Sequence, residues 1–145
     1  MINKQAEGVK GTPFDLDVER GKIAEFAEAV KASHPAHFLR DGATIPPTFL
    51  STTLAWDKRV SGANPWAQVN MSEKRGMHAE QEYIFHGAPP KAGDRLTCQH
   101  RISEIREKTN RNGSTLTFVK MITEFRNEAG ELVAEAILTG VEKGE

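Results

Sequence analysis

Thr115-Leu116-Thr117-Phe118-Val119-Lys120-Met121-Ile122-Thr123-Glu124-Phe125 is dense in β-branched and aromatic residues. It sits between two turn signals, Asn110-Arg111-Asn112-Gly113 and Asn127-Glu128-Ala129-Gly130. Asn and Gly tolerate positive φ, so each signal reverses an extended chain. Before the first turn, Leu96, Cys98, His100 and Ile102 alternate with their neighbours at the period of a half-buried strand. After the second, Leu132 to Val141 continues in the same manner. Further upstream, Met77 to His86 leads into Gly87-Ala88-Pro89-Pro90-Lys91-Ala92-Gly93-Asp94, a loop no helix survives. The pattern predicts an antiparallel meander of four strands, each roughly 10 to 13 residues, and long strands of this kind twist and curve strongly.

Ahead of the meander the pattern turns helical. Ile23, Phe26, Ala27 and Val30 fall at i, i+3, i+4, i+7 within Gly21 to Ser33, one stripe of an amphipathic helix. His34-Pro35 ends it, because the residue before proline leaves the helical region and proline cannot donate. In Ile45-Pro46-Pro47-Thr48-Phe49-Leu50 the prolines set an entry turn, and the run to Trp56 reads as a short buried helix or as an extended segment. Asp57 to Gly76 is mostly polar, with Gly62, Asn64-Pro65 and Gly76 as breakers and Trp66 as its main apolar residue. So long a stretch without periodicity is expected to be a lid, a binding loop or a partner contact. Residues 1–12 are polar enough to form a loose arm. A curved sheet with one face to cover and one or two helices at hand wraps the helix, which is an α+β architecture.

The 145 residues fit one compact domain, with 19 Lys+Arg against 20 Asp+Glu and a net charge of −1. No summed positive field is available for a polyanion, so nucleic acid is not the expected partner. No apolar run approaches the ~20 residues that cross a bilayer, and Met1 to Gln5 lacks a secretory apolar core, so no membrane contact and a cytoplasmic location are expected. The single cysteine, Cys98, makes neither an intramolecular disulfide nor a zinc knuckle. It has no adjacent base in sequence and is not read as a nucleophile.

In this order the segments resemble a known family. Ser33-His34-Pro35-Ala36-His37, then Ile45-Pro46-Pro47-Thr48-Phe49, then Met77-His78-Ala79-Glu80-Gln81-Glu82-Tyr83-Ile84-Phe85-His86 with Gly93-Asp94 resemble the MaoC-like acyl dehydratases, in particular their amino-terminal dehydratase-like domain. The resemblance runs from about Phe14 to the last strand. It implies a single hot-dog domain over 1–145: a long curved antiparallel sheet wrapped around a central helix. It also implies a homodimer, or a heterodimer with a sister hot-dog subunit, that extends the sheet. The implied substrates are thioesters on coenzyme A or acyl carrier protein, with no other cofactor, and the implied lyase reaction adds water reversibly across the double bond of a 2-enoyl thioester. Catalytic members carry Asp-x-Asn-Pro-x-His. Pro35 and His37 match, but Ala32 stands at the aspartate position and His34 at the asparagine position. In the family reading histidine and aspartate work as a pair, so His37 is half of an acid/base set. Domains with this gap resemble the acyl-holding half of a heterodimer whose other subunit supplies both catalytic groups.

His37 follows a helix stop, where a loop presents an imidazole that titrates near neutrality; the plain alternative is a histidine that satisfies local backbone groups. A replacement carboxylate is sought in Asp41, Glu80 or Glu82. Asp41-Gly42 reads equally well as an ordinary turn. In an extended Met77 to His86, residues His78, Glu80, Glu82 and His86 project from one face, either as a solvated surface or as a supply of the missing acid. No metal is predicted there. Pro47, Thr48 and Phe49 mark a helix start near which the resemblance places the thioester carbonyl. Phe26, Phe49, Leu50 and Leu54 are either tunnel lining or core, and Lys74-Arg75 either meet coenzyme A phosphates or stay solvated. Fold alone does not fix chemistry. Two alternatives therefore stand beside hydration: a non-catalytic acyl-thioester-binding subunit that completes a partner's site, and an acyl-CoA thioesterase.

Overall fold

The computed structural model describes Met1 to Gly144. The meander is present as β2 (Gly76–Phe85), β3 (Arg95–Thr109), β4 (Thr115–Arg126) and β5 (Leu132–Lys143), with ends that differ from the expected ones by a few residues. A fifth strand, β1 (Phe14–Asp17), was not expected from the pattern, although Phe14 and Leu16 are buried while Asp15 and Asp17 are exposed. At four residues it is too short for alternation to stand out. The strands form one sheet in the order β1-β3-β4-β5-β2, antiparallel at every junction. β1 and β2 are therefore its two edges.

Period-two alternation gives the sheet one buried face. Thr123 lies opposite His100 and Ala136, and Phe125 opposite Cys98 and Ala134, all of them buried. Bulges interrupt β3 between Ile102 and Glu104 and β2 between His78 and Glu80. Such insertions add local twist, which helps a sheet of this length close over a helix.

That helix settles the open reading of the run to Trp56 and extends beyond it to Arg59. It is a 3₁₀ turn (Phe49–Thr52), an α turn (Thr53–Trp56) and a second 3₁₀ turn (Asp57–Arg59) in one continuous run, called here the central helix. Phe49, Leu50, Thr53 and Asp57 are its buried side, and Asp57 meets His100 of the sheet. The first helix, α1 (Arg20–Ala29), buries Ile23 and Ala27 and sets Phe26 edge-on against Phe49 at 5.5 Å. It stops before the predicted Ser33. Lys31 takes φ +57°, its N–H donates to Glu28 (3.1 Å), and the N–H of Ala32 donates to Ala27 (2.8 Å), the paired bonds of a Schellman motif.

One expectation is corrected. Residues 1–12 are not a loose arm. Ile2 and Ala6 are buried with Val69, Ile102, Val119 and Met121 in a second core cluster, and the N–H groups of Asn3, Gly8 and Gly11 donate to Val69, Ile102 and His100. Within Asp57 to Gly76, Pro65–Val69 forms a 3₁₀ helix whose N-cap is Asn64. This segment lies against the inner face of the sheet, where Trp66 and Met71 contact the second cluster.

Candidate active site

His37 lies in a 3₁₀ turn (Pro35–Phe38) that begins at the proline ending the α1 region, and it is 8% exposed. Its Nδ1 is 2.7 Å from the carbonyl oxygen of Thr44. A carbonyl only accepts, so Nδ1 carries the proton and Nε2 of the neutral ring is left as a base. Thr44 is itself held, since its N–H donates to Ala36. His34 does local work: its Nδ1 accepts from the N–H of Ala36, and its ring lies 5.8 Å from that of His37.

The carboxylate candidates are not brought to His37. Among the described residues no carboxylate makes a hydrogen bond or ion pair with it. Asp41 is exposed in the bend before Gly42, which has φ +67°. Glu80 and Glu82 lie opposite Thr139 and Ile137, whereas His78 lies opposite Gly140. Consecutive residues of β5 point to opposite faces, so the expectation of four residues on one face is wrong for His78. The extra residue Ala79 at the bulge turns His78 to the inner face and leaves Glu80 and Glu82 outside. His86 is also outside, with Nε2 2.8 Å from Glu135. His78 Nε2 contacts the Glu80 carbonyl at 2.9 Å.

Pro47 and Thr48 are exposed ahead of the buried Phe49. The N–H groups of Phe49 and Ser51 already donate to Pro46 and Thr48. Lys74 is exposed, while Arg75 is turned inward to Glu142 at 3.3 Å. The Ser72 N–H (2.6 Å) and the Arg75 guanidinium hold the Glu142 carboxyl below its usual range, against the cost of burial. Arg75 and Glu142 together line a hollow beside Met1 to Gln5.

Two hollows lie on the inner face. A groove of about 580 Å³ runs between the central helix, residues 64–73 and the sheet, and it includes Leu54, Trp66, Met121, Leu138 and His78 in its lining. A second, small hollow of about 20 Å³ lies beside it, shares Leu54, Met121 and Leu138 in its lining, and reaches Leu50, Ser51 and Tyr83. Of the four residues read as tunnel or core, Leu50 and Leu54 face these hollows, whereas Phe26 and Phe49 pack in the core. Burial raises the Tyr83 phenol above its ordinary value, partly offset by a hydrogen bond with Ser51.

Sequence reasoning missed a buried polar chain. His100 Nδ1 is 2.7 Å from Thr123 Oγ1, its Nε2 is 3.3 Å from Asp57 Oδ2, and Asn64 Nδ2 donates to the same Asp57 oxygen at 2.9 Å. These residues stand on β3, β4, the central helix and the segment after it, and no local pattern announces so distant a set. The Asn64-Pro65 pair was visible only as a breaker.

The geometry agrees with comparisons to known proteins. The family described as FAS1-like, dehydratase domain region, matches residues 5–136. A UPF0336 protein of Saccharopolyspora erythraea is 31% identical over 138 residues, covering 88% of this chain and 82% of the relative. One from Streptomyces griseus is 30% identical over 129 residues, with 83% and 81% covered. Among solved structures, the truncated HadBC (3R-hydroxyacyl-ACP dehydratase) complex from Mycobacterium tuberculosis aligns at a TM-score of 0.69 with 25% identity, covering 96% of this chain and 99% of that one. The R-hydratase PhaJ1 from Pseudomonas aeruginosa shares the fold at a TM-score of 0.61 and 16% identity, covering 96% and 86%. Among the described residues no helix is long and apolar enough to cross a membrane. With nearly its whole length matched and a sheet wrapped on a central helix, the chain belongs to the FAS1-like dehydratase-region family of MaoC-like hot-dog proteins.

Proposed function

We propose that the chain takes part in reversible hydration of 2-enoyl thioesters, carried by coenzyme A or acyl carrier protein, as one half of a heterodimer with a sister hot-dog subunit. The observation that carries this is His37: its Nδ1 is fixed on the Thr44 carbonyl, its Nε2 is left basic, and no carboxylate is paired with it among the described residues. Hydration needs two proton transfers. A base takes a proton from water as the oxygen bonds to C3, and an acid delivers a proton to C2. His37 supplies the first group, and Ala32 stands where the second is expected, so the acid comes from the sister chain. The same gap favours a second reading, in which this chain only holds the acyl thioester.

The test is the loss of crotonyl-CoA absorbance, measured on the chain alone and on the chain co-expressed with a MaoC-like subunit that carries the complete Asp-x-Asn-Pro-x-His motif. The expected result is no turnover alone and turnover together, reduced on the order of 10²-fold or more by His37→Ala, as loss of a general base requires. Unchanged turnover in the assembled mutant supports the holding subunit instead. Turnover by the isolated chain overturns the need for a partner, and release of free thiol identifies a thioesterase.

A further inference from the structure

We infer that the groove is an interface, filled by Phe38-Leu39-Arg40 of a second copy of this chain when two β2 edges pair; the inference does not rest on the reaction proposed above. The start of β2 borders the groove through Gly76, Met77 and His78. The end of β2 borders a different surface. Past Phe85 the chain enters the loop to β3, and that loop holds residues 43–45: the N–H of Ile45 donates to Pro90, the N–H of Ala92 donates to Ala43, and Thr44 bridges Lys91. Ala43 and Ile45 belong to the core against which Tyr83 and Phe85 pack, so this segment stands on the inner side of the sheet, as the groove does. Phe38, Leu39 and Arg40 lie just ahead of it and are exposed. Antiparallel pairing of two β2 strands requires a two-fold axis normal to the sheet, which sets the start of each strand beside the end of the other and keeps both inner faces on one side. The same operation turns Phe38 to Arg40 of each chain toward the groove of the other.

The two surfaces match in chemistry. Among the described residues six large apolar side chains are exposed, and four of them fall here: Phe38 (44%) and Leu39 (48%) on the loop, Leu54 (43%) and Met77 (66%) in the groove. Apolar side chains gathered in water on a folded chain mark a surface that a partner covers. A groove of about 580 Å³ has room for a phenylalanine and a leucine side chain, and Met71, Met77 and Met121 in its lining adjust to their shape. The charges match as well. Glu73 is the one acidic or basic side chain in the lining besides His78, and Lys74 beside it is exposed. The loop presents Arg40 and Asp41, the opposite signs in the same order, so Arg40 answers Glu73 and Asp41 answers Lys74. Among the described residues none of these four side chains makes an ion pair or hydrogen bond within its own chain. Such pairs at a rim fix register and exclude wrong partners, while the apolar pair supplies the affinity.

Sedimentation equilibrium of the full chain without a sister subunit tests the inference, together with cysteine cross-linking. Leu39→Glu is expected to weaken the dimer about tenfold or more, as loss of one buried leucine requires. Arg40→Glu and Glu73→Lys are each expected to weaken it, and the double variant to regain affinity, because the pair is again opposite in sign. Oxidising Leu39→Cys chains mixed with Met77→Cys chains is expected to give a mixed disulfide dimer. Leu39→Cys with Glu124→Cys, which lies opposite Glu135 on the outer face, should give none. Native Cys98 is buried and stays out of the reaction. A chain that remains monomeric at micromolar concentration overturns the inference. So does a dimer in which Leu39→Cys and Met77→Cys fail to link, a result that would leave the groove to a small ligand and that reads out even if Leu39→Glu does not fold. A dimer indifferent to a folded Leu39→Glu overturns it as well.

Discussion

His100 is fully buried, with Thr123 on one ring nitrogen, Asp57 at 3.3 Å from the other, and the Phe14 ring tilted over it at 5.2 Å. The Nε2 contact with Asp57 is out of hydrogen-bond alignment, so it compensates little for lost hydration. Burial therefore holds His100 below its ordinary value, with the Asp57 charge opposing. The unfolded chain binds this proton at higher pH than the folded one. Stability from His100 is thus complete above about pH 6.5 and is lost as pH falls from there toward the folded value. Urea midpoints are expected to decline from pH 7 to pH 5 in the native protein. In His100→Gln, about 1–3 kcal/mol less stable at pH 7, that decline should flatten. An identical slope in the two proteins would place the acid sensitivity on one of the other four histidines.

Lys31 ends α1 in the left-handed region, where Cβ crowds the carbonyl. Glycine adopts that conformation without the clash, so Lys31→Gly is expected to raise stability by about 1 kcal/mol in urea unfolding; a loss of stability would show that the lysine side chain makes a contact outweighing the strain. This element also shows what sequence reveals. The stripe Ile23, Phe26, Ala27 and Val30 announces the helix, but nothing in its spacing says that Lys31, ahead of His34-Pro35, terminates it. The long strands were visible for the same reason, since alternation repeats many times within each. The bulge at Ala79 was not. One inserted residue depends on pairing with Gly140 and Thr139, far along the chain, and it moved His78 from the face of Glu80 to the groove. His37 stood out through the Pro35-x-His37 spacing, while the Thr44 carbonyl that orients it comes from tertiary approach. The buried anchoring of Ile2 and Ala6 had a weak trace in their spacing of four, overridden by the polar residues between them.

The sheet leaves unlike edges. β1 ends one side with four residues, two of them exposed aspartates that ion-pair with Arg95. Such a short, charged edge resists strand addition. β2 ends the other with ten residues, most of them exposed from Met77 to Glu82, and borders the groove through Gly76, Met77 and His78. A long unpaired edge is the liability that dimerisation removes, and a two-fold axis beside β2 would join two sheets while bringing a second chain to the mouth of the groove. The asymmetry therefore predicts association through β2 and not through β1. Light scattering at micromolar concentration is expected to give twice the 16.0 kDa of one chain, with the sister subunit or with a second copy in its absence. Hydrogen exchange locates the contact: all β2 amides should be protected in the dimer, whereas a free edge leaves alternate ones exchanging quickly. A stable monomer, or a dimer in which alternate β2 amides still exchange fast, would remove both the continued sheet and the route by which a partner's carboxylate reaches this chain's substrate.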